Sequence, residues 1–268
     1  MTVLNDARAL YLGERPVSAA YLGAQRVWPV GPEQHPYVGE VLADDPAGYW
    51  RLTDDPASGV AADASGYGYD AAIVGAIPTV PHPFSSAEHT LGFNTPNGYV
   101  YLPESFNVGF GSTRRECTVE YWRAQAPAVN SFSFTLAPNT IGTNQVFRCV
   151  DPDTAGGLRW DATGAEPGLN RIDWPYSATA VPLGTWRHVV LRLNTNSRQM
   201  IVDGVQRAAS NVGPNSVDLY GGWLGNGNVT DTQYARAGIT EFAIYRHYLS
   251  DARIAAHYDA ARASWLGP

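Results

Sequence analysis

At 268 residues the chain is long enough to bury a complete core without disulfides or metal, and all-β sandwiches of this length run as one unit. Its formal net charge of −7 excludes nucleic acid or an anionic membrane as the main partner. The 15 Tyr, 8 Trp and 8 Phe, beside 27 Gly and 19 Pro, favour strands and tight turns over helices.

The N-terminal stretch contains Asp6, Arg8, Glu14 and Arg15 and no unbroken apolar run, unlike a secretory signal peptide. No segment approaches the roughly 18 apolar residues of a membrane span. The expectation is a protein made in the cytoplasm, or one that leaves the cell inside an assembly. Within this stretch Ala9-Leu10-Tyr11-Leu12-Gly13 returns as Ala19-Ala20-Tyr21-Leu22-Gly23, and Val17 returns as Val27. Each copy predicts a strand, a Gly turn and a second strand. An isolated hairpin is marginal in water, so residues 1–31 must pack on their own domain, a symmetry mate or a partner. Pro29, Gly31, Pro32 and Pro36 read as a linker, and residues 32–268 as the main domain.

Along the main domain, Tyr37 to Leu42 predicts a short helical turn ended by Asp44-Asp45-Pro46. Strand-like runs then follow at Tyr49–Leu52, Ala71–Ala76, Tyr99–Leu102, Cys117–Arg123, Ser131–Leu136 and Gln145–Val150. Further runs lie at Leu158–Asp161, Trp186–Leu193, Gln199–Val202, Val217–Leu224 and Gly238–Tyr245. Short strands with turn signals between them predict an antiparallel two-sheet sandwich, and Asp203-Gly204 a two-residue hairpin. Ser250 can cap one C-terminal helix, with Asp251 in its first turn and Ile254, Tyr258 and Ala261 on one face. Cys117 and Cys149 both fall in strands. They fit buried small hydrophobes or a disulfide, and their spacing fits no zinc site.

The run Asp45-Pro46-Ala47-Gly48-Tyr49-Trp50-Arg51-Leu52, with Ala62-Asp63-Ala64-Ser65-Gly66, resembles the opening of laminin G-like jelly rolls of the concanavalin A-like superfamily. Thr118 to Trp122, Gly184 to Val189, Val202 to Val205, and Gly238 to Tyr245 with Leu249-Ser250 resemble their later strands in order. The resemblance implies an all-β jelly-roll sandwich over about residues 37–262, with a short N-terminal β segment and one C-terminal helix. It also implies a structural calcium ion, for which Asp63 and Glu241 are the matching positions; Thr240 stands where the family commonly has Asp. Tyr21 to Pro29 is similar to the openings of minor tail proteins in phages of actinobacteria. The basic residues are all Arg, with no Lys, which fits a GC-rich bacterial or phage genome.

No G-x-S-x-G, H-E-x-x-H or Walker pattern occurs. Related glycosidases pair an acid and a nucleophile carboxylate across a cleft, whereas Glu120 and Glu241 each lack a strand-mate carboxylate. His188 matches a packing histidine of the family, and His82 and His89, among prolines, read as solvated. Carbohydrate binding needs aromatic faces with a few polar groups, and Tyr220, Trp223, Asn226, Asn228, Asp231 and Tyr234 supply both. Trp174 with Tyr176 and Tyr67 with Tyr69 are further candidates; the competing reading packs these rings into the sandwich.

The expectation is a non-enzymatic phage virion protein, a minor tail component binding a host-surface glycan or protein. Its N-terminal segment would hold other phage structural proteins, and the whole would form a homo-oligomer. The alternatives are a structural head or tail decoration, and a bacterial surface lectin or glycanase.

Overall fold

The structure is a computed structural model. It describes residues 35–106, 116–126, 131–136, 146–151, 157–163, 171–175, 182–211, 221–226 and 234–265, and four short strands before them. β1 (Tyr11–Leu12) pairs with β2 (Arg15–Pro16), and β3 (Ala20–Leu22) with β4 (Gln25–Trp28), both antiparallel. The repeat copies therefore form one two-stranded pair each. α1 (Pro36–Ala43) follows, then β5 (Gly48–Trp50), β6 (Val60–Ala61), β7 (Ala71–Val74), β8 (Thr79–Pro81), β9 (His89–Gly92) and β10 (Tyr99–Leu102). Next come β11 (Cys117–Ala124), β12 (Phe132–Leu136), β13 (Val146–Val150), β14 (Leu158–Thr163) and β15 (Arg171–Trp174). The chain continues through β16 (Trp186–Leu193), β17 (Arg198–Val202), β18 (Val205–Ser210), β19 (Gly222–Leu224) and β20 (Gly238–Tyr245) to α2 (Asp251–Arg262).

Two antiparallel sheets face each other. One runs β15-β14-β13-β12-β19-β10-β7-β6; the other runs β18-β17-β16-β11-β20-β9-β8, with β5 also on β20. This is the expected sandwich. The Asp203-Gly204 turn joins β17 to β18 with both residues at positive φ, the geometry that matches strand twist. Two features exceed the sequence reading. The predicted helical turn is an eight-residue helix, because Pro36 sits in its first turn and the His35 side chain accepts from the Tyr37 amide. The proline-flanked stretch around His82 and His89, which lies outside the strand-like runs, is bounded by β8 and β9. No helix among the described residues is long and apolar enough to cross a membrane.

The core between the sheets is aromatic. Phe134 packs against Tyr121 at 5.7 Å, Phe242 at 5.3 Å and Phe147 at 5.9 Å, and Phe147 reaches Trp160 at 5.3 Å. Cys117 and Cys149 are free and buried. Burial pushes the Cys149 thiol up to about 12, and Tyr121 Oη donates to its Sγ at 3.1 Å.

A second layer lies on the outer face of the β11 sheet. Tyr37, Val38 and Val41 of α1 and Ile254 and Ala261 of α2 pack with Trp122, Val190 and Tyr245. With the other sheet inside and helices outside, β11 and β20 are buried at every residue, which erases the in–out alternation a one-sided sheet would show. Beneath the helices sits Glu120, fully buried. It accepts from Tyr37 Oη (2.9 Å), His188 Nε2 (2.7 Å), Tyr245 Oη (3.0 Å) and His257 Nδ1 (2.9 Å). Four donors match the lone-pair sites of two carboxylate oxygens. They come from both helices and from both strands flanking β11.

His257 also brings Nε2 to 2.9 Å from Asp44 Oδ2, outside the angular range of a hydrogen bond. Burial opposes its charge, but Glu120 and then Asp44 outweigh that and raise its pKa above 6.5. Burial likewise opposes ionised Glu120, yet His257 and His188 hold it well below the usual carboxylate range.

These directions fix a pH window. The Glu120 contribution is present above its ordinary pKa of 4.5 and is lost as pH falls through its depressed value. That of His257 is present below 6.5 and is lost as pH rises through its raised value. Urea unfolding across pH should therefore show maximal stability between the two ordinary values. Glu120→Gln should cost about 3 kcal/mol at that maximum and flatten the profile.

Candidate functional site

The helices do not cover the whole outer face of the β11 sheet. Past the C-terminal end of β11 and the N-terminal ends of β16 and β20, a cleft of about 620 Å³ opens, within the range of small-molecule sites. Ala124, Ala237 and Gly238 line it as small residues, Trp186 and Leu183 stand on one side, and Val80 and Pro81 on the other. Small side chains follow from the packing. A Cβ on Gly238 would sit 2.7 Å from Trp186 Cη2 and 2.8 Å from Val80 Cγ2, so this strand passes between them only as glycine. Leu183 is 68% exposed and Trp186 half-buried, an apolar pair open to solvent. The turn below them is held by Thr185 N to Pro182 O (3.1 Å) and Gln125 N to Thr185 O (2.8 Å).

Polar groups at the cleft are few. Asn94 is exposed and Gln125 is buried, with its Nε2 donating to Ala126 O at 2.8 Å. Arg236 is half-buried with φ 55° and lays its guanidinium 4.2 Å from the centre of the Tyr234 ring. Among the described residues, no Asp or Glu lines the cleft.

His82 also borders the cleft, and here the sequence reading is corrected. It is buried rather than solvated. Its Nδ1 accepts from the Phe84 amide at 3.2 Å, leaving Nε2 to face Glu241 Oε1 at 3.2 Å. His89 is exposed on β9. Glu241 sits at a bulge, where β20 carries an extra residue opposite Tyr121 and Glu241 takes φ 54°, which re-aims its side chain to the outer face. There it accepts from Tyr49 Oη and from Arg51 Nη2 at 3.1 Å. Burial opposes its ionisation, but His82 and Arg51 outweigh that and lower its pKa.

Asp63, the other position implied for calcium, is saturated by the chain itself. Oδ1 accepts from the Tyr49 and Ser65 amides at 3.0 and 2.9 Å, and Oδ2 from Ser65 Oγ and the Tyr69 amide at 2.8 and 3.0 Å. Calcium requires six to eight oxygen ligands. As arranged, Asp63 and the Arg51-paired Glu241 do not fit that demand. No group of three His, Cys, Asp or Glu residues is placed to hold a metal among the described residues.

The aromatic-loop candidates divide. Trp223 is only 6% exposed, on β19 beside Tyr101 at 5.8 Å, and Asn226 is buried, donating to Pro96 O at 3.1 Å. β19 runs between β10 and β12, and Asn226 follows two residues past its end. Tyr234 pairs with Asn226 and leads, through its contact with Arg236, to the cleft. Tyr220, Asn228 and Asp231 lie outside the described residues, as does Tyr176. Trp174 lies under Arg187 and Arg207. Tyr67 is exposed and donates to Asp45, and Tyr69 packs on Phe106. The sequence reading missed Leu183 and Arg236; the glycine before Trp186 and the strand start at Gly238 were the available signals. Gly238→Ala should push Trp186 out of place, shifting its fluorescence and costing about 2 kcal/mol in urea unfolding.

The laminin G family model described as the concanavalin A-like lectin/glucanases superfamily matches residues 94–255. Among solved structures, the receptor-binding domain of botulinum neurotoxin C/D mosaic serotype aligns with TM-score 0.61 at 14% identity, covering 81% of this chain and 51% of that chain. The binding domain of paraclostridial mosquitocidal protein 1 aligns with TM-score 0.59 at 16% identity, covering 82% and 53%. The serotype D ligand-binding domain, solved with N-acetylneuraminic acid, gives 0.59 at 14% identity, covering 83% and 52%. This chain thus spans about half the length of each. No curated protein matches it in sequence. With two facing antiparallel sheets, a C-terminal helix and a family match over more than half its length, the chain belongs to the concanavalin A-like lectin/glucanases superfamily as a laminin G-like domain.

Proposed function

We propose that this chain is a binding protein of a phage particle, a minor tail component whose sandwich docks a host-surface glycan or protein at the Trp186 cleft. The observation that carries the binding role is the cleft itself, an apolar, aromatic-walled opening with a few polar groups and no lining carboxylate among the described residues. A glycosidase needs two carboxylates flanking the scissile bond. Glu120 of β11 and Glu241 of β20 are both fully buried and bound by internal donors, and Asp161 and Asp173 of the other sheet are paired with arginines. The named roles of the similar structures, receptor-binding and ligand-binding domains, support a binding role. Their identity is too low, and the shared length too short, to carry a ligand across.

The particle setting rests on the N-terminal segment, whose sequence resembles tail-protein openings and whose two repeat copies form paired strands. In this reading the segment anchors the chain to neighbouring structural proteins. Many copies in a closed ring then supply avidity to individually weak contacts.

Purified protein should bind intact actinobacterial cells and their extracted wall glycans saturably and in competition with free sugar. Trp186→Ala should weaken binding about tenfold or more, the scale of an aromatic hot spot. Deleting residues 1–31 should leave that binding intact and abolish incorporation into particles. A folded protein that binds no cells would point instead to a structural decoration.

A further inference from the structure

Taking the cleft as the docking site, we propose that its ligand is an acidic sugar, with the carboxylate held by Arg236 and the ring laid on Trp186. The first argument is sign. The chain carries net charge −7, yet among the described residues the cleft is lined by Arg236 and by no Asp or Glu. A ligand carboxylate there meets a cation and, among these lining residues, no competing anion.

The second argument is how Arg236 is held. Its backbone sits at φ 55°, in the left-handed region where a long side chain costs about 1 kcal/mol and Asn or Gly fits more cheaply. The centre of its guanidinium stands 4.2 Å from the centre of the Tyr234 ring, and its Nε is buried with no acceptor among the described residues. The ring contact steadies the guanidinium without consuming its charge. The donors left for a ligand are those of the two terminal nitrogens, and such a pair grips a carboxylate bidentately.

The third argument is the apolar lining. Trp186 and the exposed Leu183 give apolar surface that suits the C–H face of a pyranose, and the exposed Asn94, which also lines the cleft, can meet its hydroxyls. An inorganic anion would gain nothing from that patch, and a neutral sugar would gain hydrogen bonds from Arg236 but no charge pairing. The acidic sugar uses both.

The test is a glycan panel in which galacturonate, glucuronate and sialic acid oligosaccharides are each paired with their carboxyl-reduced forms. Affinities are measured by calorimetry on the full-length protein. The wild type should bind at least one acidic member about tenfold more tightly than its reduced partner, the scale of one charge-assisted contact. Arg236→Asn, which keeps a residue at ease in the left-handed region, should bring the pair to equal affinity, and Arg236→Lys should restore part of the difference. Trp186→Ala should weaken both members alike. Equal binding of the acidic and reduced forms by the wild type, or no binding of any acidic member at millimolar concentration, overturns the acidic-sugar assignment. Acid-selective binding that survives both Arg236→Asn and Trp186→Ala overturns the cleft as the docking site as well.

Discussion

One carboxylate organises the outer half of this molecule. An ionised group with no exposure to water is tolerable only when its lone pairs are filled by donors. The donors of Glu120 come from α1, α2, β16 and β20. Chain segments far apart in sequence are thereby required to meet at one point. Hydrophobic packing could slide either helix along the sheet at modest cost, but the four hydrogen bonds permit one position. Arg253 reinforces this with a second tie between the helices, through Glu40 at 2.7 Å and Asp44 at 2.9 Å. Arg192 fixes the entry to α2 by donating to Leu249 O at 2.6 Å.

The same constraint decides where a site can exist. With the inner face closed by the other sheet and the outer face closed by pinned helices, the ends of the strands beyond helix cover are left open. The cleft lies there, and its depth comes from the absence of side chains at Gly238 and their smallness at Ala124 and Ala237. Strain at Arg236 and Glu241 is concentrated at the two ends of this region. Each residue points a charge where regular strand geometry would not place it.

The architecture was legible in the sequence because its signals are local. Asp203-Gly204 makes the hairpin it announces, and Tyr99–Leu102, Trp186–Leu193 and Gly238–Tyr245 begin and end where read. What stayed hidden depends on partners distant in the chain. Glu120 looked unaccompanied on its strand because its donors lie 68 to 137 positions away. His82 looked solvated among prolines, yet β8 and β9 pair around it and turn it onto Glu241, 159 positions on. Trp223 shows the converse limit. Its residue type and glycine-rich setting suit a sugar site, but the residue is 6% exposed beside Tyr101 in the folded chain.

The two cysteines carry a last consequence. Each is free, walled in by the core, and protonated by a wide margin, since burial raises both thiols. Oxidants and disulfide-exchange partners act on exposed thiolates, so neither group is open to them while the sandwich is closed. The fold gains no cross-link in an oxidising medium and loses none in a reducing one. A protein stabilised this way does not depend on the redox state of its surroundings for its covalent structure.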